Sequence, residues 1–223
     1  MNHKNIQDLA EAKGLIKEFR TCLPSHVIAN ESSSRSKLPW KVLSIRDPLL
    51  YRMIDLAGAA CRLYEENLLA ASFTLTRSTL ETSAMLYWLC DKMEDAVESG
   101  RVGTDLDELL MRALLGRKDC QHRQPINVLT CVGRMDKQFN GWEEMYSNLS
   151  EYAHPNWWGV MSLYGKLDTK NLRLNLQWPD FEKRAGEGLP LLCGALVLFK
   201  FCYDKSSNLL PAFIRVCEDN LTR

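Results

Sequence analysis

Between Asp47 and Ser99 the chain holds a single proline, Pro48, and a single glycine, Gly58. A run of that length without turn residues restricts the fold to long helices, because strands of globular domains end after a handful of residues. Asp47 before Pro48 reads as a helix cap followed by a proline suited to the first turn. Glu65-Glu66-Asn67 marks a break into two helices, and Gly100 ends the second.

The flanking segments follow the same period. Ile6, Leu9, Ile16 and Phe19 recur at helical spacing and predict a helix over 5–20. Pro24, the Ser-rich "ESSSRS" and Pro39 make 21–40 a loop. Thr104, with Asp107 three residues on, reads as a capping box opening a short helix striped by Leu106, Leu109, Leu110, Ala113 and Leu114. Pro125 starts another, lined by Val128, Leu129, Val132, Met135 and Phe139, and Asn140-Gly141 ends it. Trp142, Met145, Leu149 and Tyr152 then line a helix that Pro155 stops at His154, since the residue before a proline is pushed out of helical geometry.

After Trp158 the pattern changes. "LRLNLQW" at 172–178 alternates strictly, so Leu172, Leu174, Leu176 and Trp178 share one strand face. With the turn-like "DTKN" it predicts a β-hairpin over 159–178. Leu189 to Tyr203 returns to a buried helix, and Pro211 begins or kinks a last one. The expected fold is mostly α, an up-down helical bundle with one small inserted hairpin. A single domain over 1–223 divides into an N-terminal helix and loop (1–46), a bundle core (47–158), the hairpin (159–178) and C-terminal helices (179–223).

Composition narrows the function. Lys plus Arg and Asp plus Glu number 28 each, so no global field recruits nucleic acid or an anionic membrane. Locally, acids crowd residues 91–108 and bases crowd 112–137, which reads as two solvated faces or as a nucleic-acid groove. The eight cysteines lie singly, mostly in apolar runs, and fit a reduced, cytoplasmic protein. The longest apolar run, "LPLLCGALVLF" at 189–199, is too short to span a bilayer, so no membrane partner is expected. Cys22 with His26, and Cys120 with His122, have zinc donor types at spacings that match no common site; no metal or other cofactor is expected. No phosphate-binding loop, dinucleotide fingerprint, nucleophile elbow or H-E-x-x-H occurs.

Two constellations carry chemistry. On the 67–97 helix, Arg77 sits on a face otherwise made by Ala70, Phe73, Ala84 and Trp88, with Glu81 one turn on. It is either a partly buried ion pair that fixes helix packing or a guanidinium facing a cleft, ready for phosphate or carboxylate. The second is "NLSEYAHPNWW", 148–158. Ser147, Ser150 and Glu151 lie on the His154 side of their helix, and Glu151 is placed to hydrogen-bond the imidazole. His154 is then an acid/base group or a cap on loose carbonyls. Trp157 and Trp158, beside Asn156, are placed to stack a ligand, anchor the loop or fill an interface.

"LTRSTLETSAMLYWL" (75–89) and "YSNLSEYAHPN" (146–156) together resemble a family of uncharacterised bacterial all-helical proteins, distantly similar to the HEPN superfamily of toxins, defence systems and RNA-processing proteins. The likeness covers roughly 50–165. It implies His154 as the motif histidine, with Ser147, Asn148 or Leu149 standing where active ribonucleases of that superfamily carry arginine. Two expectations follow. One is a non-catalytic binding or regulatory module linked to bacterial defence or stress, docking an RNA or a protein through Ser150, Asn156, Trp157 and Trp158. The other is a metal-independent ribonuclease with His154 as acid/base and Glu81 or Glu151 orienting, where Arg77, from another helix and outside the family's motif, would take the phosphate. The resemblance also implies a homodimer with Trp157 and Trp158 at its interface.

Overall fold

The computed structural model describes residues 2–29, 35–120 and 123–221. The fold is mostly α with one two-stranded antiparallel hairpin. The Ser-rich stretch falls largely on 30–34 and the Cys120–His122 pair ends at 122, so both lie wholly or partly outside the described residues.

Helix α1 (His3–Thr21) opens where the Asn2 carboxamide oxygen accepts the Asn5 N–H at 2.9 Å. Helix α2 runs Leu38–Glu65, beginning nine residues before the expected Asp47 cap. Pro39 takes the first-turn place that the sequence reading gave to Pro48, and Pro48 lies inside the helix. Asp47 cannot act as a cap because it is buried, accepting from Arg46 Nε at 2.7 Å and the Tyr203 hydroxyl at 3.3 Å. The break at Glu65–Asn67 is real: α3 (Leu69–Ser99) follows at once and ends at Gly100, φ 62°.

Helix α3 is the spine. Its buried Ser72, Thr79, Thr82 and Ser83 would be costly polar groups, yet each hydroxyl donates to a carbonyl one turn back, at 2.6–3.1 Å. Ser83 also donates to Ala195 O at 2.8 Å, and the Cys90 thiol to Cys202 O at 3.0 Å. Those bonds fasten α3 to α8 (Phe181–Asp219). On α8's other side the Cys193 thiol donates to Asp8 O of α1 at 3.0 Å.

The expected C-terminal pair of helices is thus one helix with Pro190 and Pro211 inside it. Tertiary packing outweighs the loss of one backbone hydrogen bond at each proline. By length and hydropathy α8 could cross a membrane, but 56% of its most apolar window is buried within the protein, as a core helix requires.

Shorter elements complete the shell. Helix α4 is Leu106–Leu115, and Asp107 makes no capping box; its carboxylate pairs with Lys41 instead. Helix α5 is Val128–Asp136, capped by Asn127 rather than opened by Pro125. Arg134 pairs with Asp91 at 2.6 Å and Asp95 at 3.6 Å, so the acidic and basic runs meet there, beside an open cleft of about 670 Å³ lined in part by Asp91, Arg134 and Lys137. Helix α6 is Trp142–Ala153 with His154 as its extended C-cap, as Pro155 dictated.

The hairpin is shorter than 159–178. Trp157–Met161 forms a π-helical turn, Ser162–Tyr164 a helical turn α7, and only β1 (Gly165–Asp168) and β2 (Arg173–Leu176) are strands. The cause is Asn156, whose side chain accepts the Gly159 N–H at 3.0 Å and so starts a helical turn.

All eight cysteines are free thiols, six of them buried. Burial pushes the Cys61 thiol up to about 11 and those of Cys131, Cys193 and Cys217 to about 12, from an ordinary 9.0. Their neutral form is favoured in the native state, so the stability they contribute is complete below pH 9 and is lost as pH climbs toward 12. Two observations test this. Native protein should show two fast thiols with a disulfide reagent, Cys22 and Cys120, and eight after denaturation. Its melting temperature should fall steadily from pH 9 to 11.

Candidate functional site

Arg77 and His154 belong to different sites. The Arg77 guanidinium, about a quarter exposed, donates to Glu81 Oε1 at 3.1 Å and lies 5.3 Å from the centre of the Tyr146 ring. The Tyr146 hydroxyl donates to the same Glu81 oxygen at 3.2 Å. One carboxylate oxygen thus takes donors from two helices and clamps α3 to α6. Tyr146 precedes His154 by eight residues, roughly 12 Å along the helix axis. The guanidinium makes no hydrogen bond or ring contact with the imidazole; its contacts are with Glu81 and Tyr146.

His154 itself is exposed, and its imidazole has no hydrogen-bond or ion-pair partner among the described residues. Its backbone does the structural work: the N–H donates to Ser150 O at 3.2 Å, and the carbonyl accepts from Asn156 N at 2.8 Å. The expected Glu151–His154 bond does not form. With ψ at 146° the chain turns off the helix at His154, and Glu151 Oε2 instead accepts the Asn156 amide at 2.6 Å. Ser150 is spent locally, its hydroxyl donating to Tyr146 O at 2.8 Å.

What assembles beside this corner is an open cleft of about 420 Å³, lined by Asn148, Glu151, Tyr152, Trp158, Arg184 and Glu187. Tyr152 forms one side: its ring packs on Phe73 at 4.7 Å and edge-on to Trp158 at 5.9 Å. Its hydroxyl donates to Glu187 Oε2 at 2.9 Å and accepts from Arg184 at 2.8 Å. Burial, and then the bond to Glu187, push this phenol up to about 12, so it stays protonated at neutral pH. Arg184 also holds Glu187 at 3.2 Å and Ser162 O at 3.3 Å, leaving its charge neutralised within the protein.

Trp158 stands against Trp157 with ring centres 5.0 Å apart at 85°, and both rings are exposed. Formal charges in the cleft sum to one excess negative, Glu151 and Glu187 against Arg184. Aromatic walls with net negative charge suit a cation bearing some apolar surface. The hydroxyl–carboxylate pair in the cleft, Tyr152 with Glu187, keeps its proton on the phenol, which burial pushes up to about 12. Among the described residues no three His, Cys, Asp or Glu side chains converge as metal ligands.

Of the residues singled out in the sequence, Glu151, Asn156, Trp157 and Trp158 therefore meet around one corner, with Ser150 and His154 framing it, while Arg77 and Glu81 lie elsewhere. Tyr152 was legible only as a core position. Arg184 and Glu187 were missed, although their spacing of three on a helix is a signal for a shared face. They precede Leu189, where the helix was expected to begin. No family model, curated protein or solved structure matches the chain.

Proposed function

We propose that this protein is a non-catalytic binding module that holds a basic segment of a protein partner in the cleft between α6, the π-helical turn and α8. The observation that carries the reading is the pairing of the exposed Trp158 wall with an uncompensated carboxylate, while Arg184 is already committed to Glu187 and Tyr152. A lysine or arginine side chain would set its cation against Glu151 and its stem on the indole. Phosphates would meet net negative charge there, which favours a peptide over RNA. The proposal keeps the setting implied by the HEPN-like segments, a cytoplasmic regulatory partner in bacterial defence or stress.

Ribonuclease chemistry has weaker support, because among the described residues no carboxylate orients the His154 imidazole and the cleft's cation, Arg184, is committed to Glu187 and Tyr152. Two experiments decide between the readings. Titrating the protein with a short peptide amide of alternating lysine and tryptophan should change an environment-sensitive dye on the peptide, and Trp158→Ala should weaken binding by about tenfold or more. Single-stranded RNA should survive incubation with wild type unchanged. Cleavage by wild type that His154→Ala abolishes would overturn the binding-module reading.

A further inference from the structure

The hairpin presents its apolar side to solvent. Leu167, Leu172, Leu174, Leu176 and Trp178 are all exposed, Leu172 to 89% and Leu176 to 79%. Register puts Leu167, Leu174 and Leu176 on one face, with Leu172 in the turn at φ 50° and Trp178 just past the strand's end. Gly165 pairs with Leu176 and Leu167 with Leu174, so these side chains share a face, while Lys166, Asp168, Arg173 and Asn175 take the other. Taking roughly 100 Å² per fully exposed leucine side chain and about 200 Å² for tryptophan, the five leave on the order of 400 Å² of apolar surface bare. One side of a standard interface buries about 800 Å², a little over half of it apolar, and the patch supplies most of that share without a charge on it.

The backbone edge is open as well. Among the described residues the sheet has two strands. Gln177 N–H donates to Tyr164 O at 3.0 Å, extending the ladder toward β1. In an antiparallel strand the groups alternate, so Arg173, Asn175 and Gln177 face β1, and Leu174 and Leu176 turn their N–H and C=O groups to the unpaired edge. Such an edge is normally blunted by proline, lysine or a bulge; β2 carries none of these between Arg173 and Leu176.

The strand's sequence is close to a palindrome about Asn175. Pairing β2 antiparallel with a second copy around that residue sets Leu174 opposite Leu176 and Arg173 opposite Gln177, while Leu172, in the turn at φ 50°, stays outside the pairing. Within the paired stretch each leucine meets a leucine and no like charges oppose. The same register places Leu174 and Leu176, whose backbone groups point outward, in the hydrogen-bonded positions. This is the self-complementarity that a two-fold interface requires.

We propose that the occupant of this face is a second copy of the chain, joined through β2 into a four-stranded antiparallel sheet with its two-fold axis at Asn175. The pairing uses neither Trp158 nor the cleft, so it stands or falls independently of the peptide-binding reading.

Sedimentation of the full chain over a concentration series tests it. Wild type should reach twice the 25.6 kDa chain mass. Leu176→Lys, at a position already exposed in the single chain, should keep its helical circular dichroism and weaken dimerisation by roughly tenfold or more. Asn175→Cys, in a background with Cys22→Ser and Cys120→Ser, should form an intermolecular disulfide on mild oxidation, because a non-hydrogen-bonded antiparallel pair holds its Cα atoms about 4.5 Å apart. Arg173→Cys in the same background should not. A wild-type monomer at all concentrations overturns the proposal, as does a dimer indifferent to Leu176→Lys or an Asn175→Cys chain that fails to cross-link. A monomer that co-sediments with phosphatidylserine–phosphatidylcholine vesicles overturns it too, and assigns the face to lipid.

Discussion

Gly188→Ala should lower the melting temperature by about 6–12 °C, the largest single-residue effect expected here. Gly188 lies where α8 packs directly on Tyr64 of α2 and Phe73 of α3. A Cβ there would sit 2.1 Å from Tyr64 Oη and 2.5 Å from Phe73 Cε1. Both rings are fully buried, and the Tyr64 hydroxyl is tied to Thr76 Oγ1 at 3.1 Å, so neither can swing aside into space. Overpacking of this kind costs about 3 kcal/mol, and for a chain of this size each kcal/mol moves the midpoint by about 2–4 °C.

Thermal melts followed at 222 nm measure the effect, and a double-mutant cycle identifies the cause. Tyr64→Phe removes the nearest atom, so Gly188→Ala should cost less in that background, leaving the Phe73 clash as residue. Gly14→Ala is the control. Nothing lies within 4 Å of the position a Cβ would take there, and a mid-helix glycine replaced by alanine should stabilise by about 0.5–1 kcal/mol. A Gly188→Ala protein that melts within about 2 °C of wild type would mean that α8 does not approach Tyr64 this closely.

The second large effect is local. In Gly159→Ala, the new methyl would lie 2.0 Å from His154 O and 2.8 Å from Tyr152 O. Both are backbone atoms at the end of α6, so no side chain can yield. The π-helical turn must lift away, and Trp157 and Trp158 move with it. Far-UV circular dichroism should keep most of its helical signal. The near-UV tryptophan signal, to which the edge-on 5.0 Å Trp157–Trp158 pair contributes, should weaken. Peptide binding at the cleft should fall by at least as much as in Trp158→Ala, since the wall itself is displaced. An unchanged near-UV spectrum with undiminished binding would show that the turn tolerates the methyl and that its seat on α6 is not what positions Trp158.

These two glycines show where sequence reading stops. Gly188 and Gly159 look alike in the sequence, each a glycine inside or beside an apolar run, and neither takes a positive φ. Their roles come from atoms far away in the chain, Tyr64 and Phe73 in one case, or from a turn that Asn156 initiates in the other. Helix ends set by proline behaved differently. Pro155 fixed the end of α6 at His154 through a clash with its immediate neighbour, and the structure agrees. Pro48, Pro190 and Pro211 did not end helices, because burial of the surrounding helix faces outweighs the one hydrogen bond each removes.

The candidate site divides along the same line. Glu151, Asn156, Trp157 and Trp158 were visible because they lie within one short stretch whose local geometry Pro155 and Asn156 dictate. The partnership of Arg77 with Glu81 was also legible, being a contact between residues one turn apart on a single helix. Which of its two readings holds depended on Tyr146, a residue of another helix that closes the pair into a clamp. Arg184 and Glu187 reach the cleft from α8, where long-range packing carries the helix back past Leu189 to Phe181. The sequence by itself determined the long helices, the stop at His154 and the alternating strand, because periodicity and steric restraint act between near neighbours. Only the tertiary structure decided that Arg77 is withheld from His154, that Tyr152, Trp158 and Arg184 share a cleft, and that the hairpin's leucines face outward, because those outcomes depend on which helix faces meet.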